Sequence, residues 1–197
     1  MFLVPYEYEL ILGNDMTKEG ELGLRTKRLL DEAAFERGST GRRLVVAAGY
    51  NPDLPRLRQT LAELMAEYLY EVGVPRTEVV VLSSRRFNTI GELLTFEEYL
   101  NERYQELAAR GRSGKLHPVR IRVRAFSWHI PRVWFLVHRH IGGRFAKSLK
   151  YAKVRDPIPL FALAMEPLKF INAALPLTWQ DRLVRFYKRR VSQRTSY

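Results

Sequence analysis

Apolar residues along this chain follow two periodicities that alternate. Short runs rich in β-branched residues occur at YELILGN (8–14), RRLVVAAGY (42–50) and TEVVVLSS (77–84). Helical spacing fills the gaps. After the first run, Leu22, Leu29, Leu30 and Ala33 supply an apolar face. LPRLRQTLAELMAEYLYEVG (54–73) places Leu57, Leu61, Leu64, Met65, Tyr68 and Leu69 on one stripe and stops at Gly73, with Pro75 beyond. TIGELLTFEEYLNERYQELAAR (89–110) predicts the next helix. VRIRVRAFS (119–127) alternates apolar and basic residues, which predicts a strand with one wet face near a sheet edge. RVWFLVHRHIG (132–142) predicts a helix ending at Gly142-Gly143.

The order β-α-β-α-β-α-β-α predicts an α/β fold: a Rossmann-like open parallel sheet with right-handed crossovers and helices on both faces. The unbroken LVVAA run suits a strand covered on both sides. Beyond residue 144 the alternation stops. DPIPLFALAMEPLKFINAALPLTW (156–179) is apolar but carries four prolines, and QDRLVRFYKRRVSQR (180–194) predicts a basic amphipathic helix with Leu183, Val184 and Tyr187 on its apolar side. The expected organisation is an α/β domain over 1–150 and a helical C-terminal extension over 151–197.

Composition changes this picture in two ways. The 197 residues include no cysteine, which removes disulfides, thiolate metal sites and a thiol nucleophile, and fits a reducing cytoplasm. The apolar N-terminus contains Glu7 and Glu9, lacks a basic leader region, and reads as a strand, not as a signal peptide or anchor. The net charge is +12, and it is unevenly spread. Residues 1–106 hold 13 Lys/Arg against 18 Asp/Glu, a net of −5, whereas residues 107–197 hold 20 against 3, a net of +17. This asymmetry points to an acidic partner: an anionic small molecule, an anionic membrane surface met by 180–194, or nucleic acid, for which the chain has no recognised motif. The plain alternative is a basic, solvated surface. The expected location is cytoplasmic, with peripheral membrane contact through the C-terminal segment as the second option.

In an open parallel sheet, ligands sit beyond the C-terminal ends of the strands. Here those ends are Gly13-Asn14-Asp15, Gly49-Tyr50-Asn51, Ser83 to Thr89, and Phe126 to Arg132. The last contains FSWHIPR, the chain's densest corner of polar chemistry. His129 is the acid/base candidate, with a packed turn histidine as its alternative, and Arg132 is the candidate charge stabiliser. Ser127 could bind an oxyanion or cap the following helix, and Trp128 completes the corner. Asn88 and Thr89 open a helix, either as a simple cap or as a polar pair on a ligand, and Arg85 and Arg86 add positive field. Asp15 could bind hydroxyls, hold His129 or close a turn. Gly13 and Gly49 permit close backbone approach, with Tyr50 beside the second. Arg25 or Arg28 could reach the crevice from the first helix. His138 and His140 do not share a helical face, and no His/Asp/Glu cluster has metal-ligand spacing. There is no Walker loop, GxGxxG or nucleophile elbow.

These pieces, in this order, resemble the domain of unknown function 218 family, the YdcF/SanA-like proteins. The resemblance is carried by LILGNDM, GLRTKRLLDEA, LVVAAGY, LMAEYLYEVGVPRTEVVV, the pair Asn88-Thr89 and SWHIPR, over residues 8 to 142. Leu61 stands where the family has a glutamate, Gly91-Glu92 where it has Glu-Asn, and Arg86 where it has a serine. The resemblance therefore implies a Rossmann-like fold and a crevice of the family's shape but more basic. It favours Arg28 over Arg25. It implies an anionic ligand, S-adenosylmethionine or another nucleotide-like molecule or a phosphorylated envelope precursor, at Asn14, Asp15, Arg28, Gly49, Tyr50, Arg86, Asn88, Thr89, Ser127, Trp128, His129 and Arg132. It does not settle whether a reaction follows binding.

Overall fold

A computed structural model describes residues 7–13, 15–17, 19–51, 58–84, 86, 88–109, 120–141, 143–157, 160–176 and 178–179. The chain divides into two compact units, Met1–Asp156 and Pro157–Tyr197. The first contains β1 (Glu7–Ile11), α1 (Leu24–Thr40), β2 (Arg43–Ala48), α2 (Leu61–Glu71), β3 (Val79–Ser83), α3 (Thr89–Leu107), β4 (Arg120–Phe126), α4 (Ile130–His140), α5 (Gly143–Ser148) and β5 (Leu149–Val154). All five strands are parallel, in the order β3-β2-β1-β4-β5. This is an open, Rossmann-like α/β sheet, and its order reverses between β1 and β4.

Residue parity decides which helix covers which face. Leu44, Val46 and Ala48 of β2 point into a core with Leu29, Leu30 and Ala33 of α1 and Leu61, Met65 and Leu69 of α2. The neighbouring parity faces α3: Tyr8 of β1 meets Phe96 and Tyr99 edge-on, at ring-centroid distances of 6.5 and 5.8 Å. Leu44 through Ala48 are all buried, as an apolar run covered on both sides requires.

Three local features depart from the sequence expectations. First, α2 begins at Leu61, after residues 58–60, which the expected helix included; residues 54–57 of that span lie outside the described residues. Thr60 accepts from the backbone N–H of Glu63, and the Glu63 carboxylate returns to the Thr60 backbone, so a capping box fixes the start. Second, LKYAKV forms a fifth strand, so the first unit runs to Asp156, past residue 150. Third, β4 lies one strand in from the edge, and its basic face is wet at Arg120 but not at Arg124. Arg122 and Arg124 lie on the face covered by α1. The buried Glu9 carboxylate receives Arg124 Nε and, at 2.8 Å, Arg122 Nε. Glu36 of α1 receives both arginines, Arg124 at 2.9 Å, and Glu32 lies 3.5 Å from Arg124. Glu9 and Arg122 are direct cross-strand partners, so the sheet register itself aligns the acid with the bases.

The second unit contains α6 (Leu160–Ala174). The helix expected over 180–194 lies outside the described residues. No helix among the described residues is long and apolar enough to cross a membrane.

Candidate functional site

The β4–α4 corner is built by a tight turn. Ser127, Trp128 and His129 leave β4, with Ser127 N–H bonded to Val154 O of β5 at 2.9 Å and His129 N–H to Phe126 O at 2.9 Å. α4 then starts at Ile130 with Pro131 in its first turn, where a missing N–H costs nothing. His129 is the residue before the helix and makes no side-chain cap, so Ser127 does not cap α4. Trp128 stacks between the Phe126 and His129 rings, at 5.9 and 5.7 Å.

The turn directs His129 inward, where it is buried, and brings Arg132 back over it. Arg132 Nη2 lies 2.7 Å from His129 Nε2, and Thr89 Oγ1 lies 3.4 Å from the same nitrogen. A guanidinium has donors only, so Nε2 accepts and the imidazole proton sits on Nδ1. His129 in this state orients Arg132; its Nε2 lone pair is already occupied.

The opposite wall is the first turn of α3. Asn88 is the N-cap, its Oδ1 accepting from Gly91 N–H at 2.8 Å. That helix start is pressed against the loop after β3. A Cβ on Gly91 would stand 2.5 Å from Arg86 Cβ and 2.9 Å from Arg86 O. A Cβ on Gly49, at the end of β2, would stand 2.6 Å from Ser84 O and 3.0 Å from Arg86 O. Both positions require glycine because backbone passes where a side chain would begin.

One residue of this wall escaped the sequence reading. Glu92, one turn after Thr89, is only 4% exposed, and its Oε2 has no hydrogen-bond partner among the described residues. Burial pushes its carboxyl well above the ordinary 4.5, and the positive charge of Arg132 offsets only part of that. Burial thus favours the neutral form of Glu92. The signal was available in the spacing: Thr89, Glu92 and Phe96 recur on the buried side of α3, where a solvated glutamate has no place. The Trp128 indole nitrogen is likewise buried without a partner among the described residues.

The structure thus brings together His129, Arg132 and Thr89, and it joins Gly49, Ser84, Arg86, Asn88 and Gly91 around the same helix start. Asp15, Arg25 and Arg28 make contacts of their own just past the C-terminal ends of β1 and β5. Asp15 Oδ1 accepts from Thr26 N–H at 3.0 Å and from its hydroxyl at 2.9 Å. Because the N-cap of α1 is Gly23, with no side chain, Asp15 supplies the cap from outside the helix and closes a turn. Arg28 donates to Asp156 Oδ1 and to Arg155 O, both at 2.8 Å, and Arg25 bonds Asp156 at 3.1 Å, so both arginines tie α1 to the end of β5. Tyr50 is 58% exposed, and Asn14 and Arg85 lie outside the described residues. No protein-family model, no curated protein and no solved structure matches this chain.

Proposed function

We propose that this is a YdcF-like domain that binds an anionic, phosphate-bearing or nucleotide-like small molecule at the C-terminal ends of its parallel strands, in bacterial envelope metabolism as the family resemblance implies. The observation that carries the reading is the pair His129–Arg132, 2.7 Å apart, at the N-terminus of α4 and against the first turn of α3. Two helix N-termini and one guanidinium converge on a single corner, and each favours negative charge. Burial favours the neutral form of Glu92, the acid in that corner, which weakens its opposition to the positive field. Arg86 adds to it from the loop after β3.

The roles follow from the contacts. Arg132 is the ligand-binding group, suited to fork two oxygens of a phosphate. His129 is the positioning residue that aims it. Thr89 offers a hydroxyl on the same side, and Gly49 and Gly91 keep the neighbouring loop close. Asn88 holds the helix start instead of touching the ligand.

Isothermal titration with inorganic phosphate, adenosine monophosphate and S-adenosylmethionine tests the reading. At least one should bind saturably, and Arg132→Gln should weaken it roughly tenfold or more, the cost of losing a charge-assisted hydrogen bond. Failure of all three to bind, or equal binding by wild type and Arg132→Gln, would overturn it.

A further inference from the structure

Over its described side chains, residues 166–174, α6 turns large apolar residues to solvent. A surface helix ordinarily turns its apolar residues inward and its polar residues to water. The exposed arc of α6 carries Pro167, Leu168, Phe170, Ile171 and Ala174, all apolar, with Leu168 57% and Ile171 62% exposed. Glu166, Asn172 and Ala173 are less exposed, and Lys169, its side chain 41% exposed, pairs with Glu166 at 3.3 Å. Trp179, 56% exposed, follows. The sequence then turns basic: residues 180–194 contain six Lys/Arg and one Asp.

We propose that this C-terminal unit docks on the surface of an anionic lipid bilayer, seating Leu168, Ile171 and Trp179 at the boundary between headgroups and acyl chains. The occupant must accept large apolar side chains and the cations that follow them in the sequence. A bilayer with acidic headgroups offers both, acyl chains just beneath a negative layer. Nucleic acid supplies the charge but no apolar layer for Leu168 and Ile171. A second copy supplies apolar surface but brings two strongly basic C-terminal halves together. At 15 residues, α6 is about 22 Å long, too short for the roughly 30 Å hydrocarbon core, so it lies in the plane of the surface. The reading is independent of the crevice described above.

The test is co-sedimentation of the full chain with vesicles of phosphatidylcholine alone and with added phosphatidylglycerol. Binding should be roughly tenfold or more tighter to the anionic vesicles. Leu168→Asp/Ile171→Asp should reduce it by at least about the same factor, with circular dichroism and the melting midpoint unchanged. Acyl chains brominated near the headgroup should quench tryptophan emission of the wild-type chain, and Trp179→Phe should remove that quenching; this arm does not depend on the double variant folding. Absence of vesicle binding, or binding that the double variant retains, overturns the proposal. So does a concentration-dependent dimer abolished by the double variant, which would show that a second copy covers the face.

Discussion

Replacing Glu9 with glutamine removes the charge at the centre of the arginine network between β1, β4 and α1. Glu9 and Arg124 are each 1% exposed, so both ions have lost their hydration and depend on each other. Breaking such a pair by neutralising one member leaves an uncompensated buried charge and costs about 3–5 kcal/mol. Two features set this case at the lower end. Glu36 and Glu32 still face Arg124, at 2.9 and 3.5 Å, and both are partly exposed and so partly screened. Glutamine also keeps one oxygen as acceptor. The expected loss is therefore about 3 kcal/mol, a large share of the roughly 5–15 kcal/mol that holds a domain folded. With a urea m-value near 2 kcal/mol per molar, the midpoint should fall by about 1.5 M at unchanged m. Arg124→Met should be destabilising alone, and the pair Glu9→Leu/Arg124→Met should lose less than the sum of its parts, by more than about 1 kcal/mol. A Glu9→Gln loss below about 1 kcal/mol, or additive single changes, would refute the idea that these charges act as one buried unit.

Three further outcomes follow from the geometry. Glu92→Gln should stabilise the protein at neutral pH and flatten its stability profile: the wild-type carboxyl is raised in the fold, so wild-type stability is fully present below about pH 4.5 and falls as pH rises toward the folded value, whereas glutamine does not titrate; parallel urea-versus-pH curves for the two proteins would refute this. Acid should act in the opposite sense through Glu36. Burial alone would raise its carboxyl, but hydrogen bonds from Arg124 and Arg122 outweigh that and hold it below 4.5, so its contribution is present above pH 4.5 and is lost as pH falls through the lowered folded value, which Glu36→Gln melting curves between pH 3 and 6 would detect. Gly91→Ala should cost about 1–3 kcal/mol in urea unfolding, because its methyl group meets Arg86 backbone and Cβ at 2.5–2.9 Å; a neutral result would mean that the loop after β3 gives way freely.

The alternation of strands and helices was legible because burial on a pleated or helical surface writes its period into the chain. What failed to read was whatever depends on residues far apart. VRIRVR shows a strand with charged alternate positions, but the acid that buries those arginines is 113 residues from Arg122 and 115 from Arg124. Part of the charge asymmetry between the two halves is settled inside the fold for the same reason: Glu9, Glu32 and Glu36 from the acidic half meet Arg122 and Arg124 from the basic half. LKYAKV passed unread because Lys150 and Lys153 break its apolar pattern, as an edge strand permits. At the corner, SWHIPR marked the residues correctly as neighbours, and the structure joins His129 to Arg132 and Thr89. Periodicity could not tell that Asp15 would turn to Thr26, or that Arg28 would turn to Asp156, since both choices depend on which way α1 enters.

The seam between β1 and β4 also has a meaning in time. Chain order delivers β1, β2 and β3 well before β4, so β1 remains the open edge of an unfinished sheet while residues 84–119 are made. An unpaired edge is a template for another copy's strand. This one carries an inward-facing carboxylate, in a half-chain of net charge −5. Two halves of like net charge repel, and a second β1 would bring another carboxylate beside Glu9, whose neighbour in this half is Arg42 at 3.5 Å. A strand that offers arginines in register escapes both penalties, and β4 of the same chain is that strand. The ion network that makes the finished core sensitive to a single glutamine thus also distinguishes β4, which brings arginines in register, from a second copy's β1, which would bring another carboxylate.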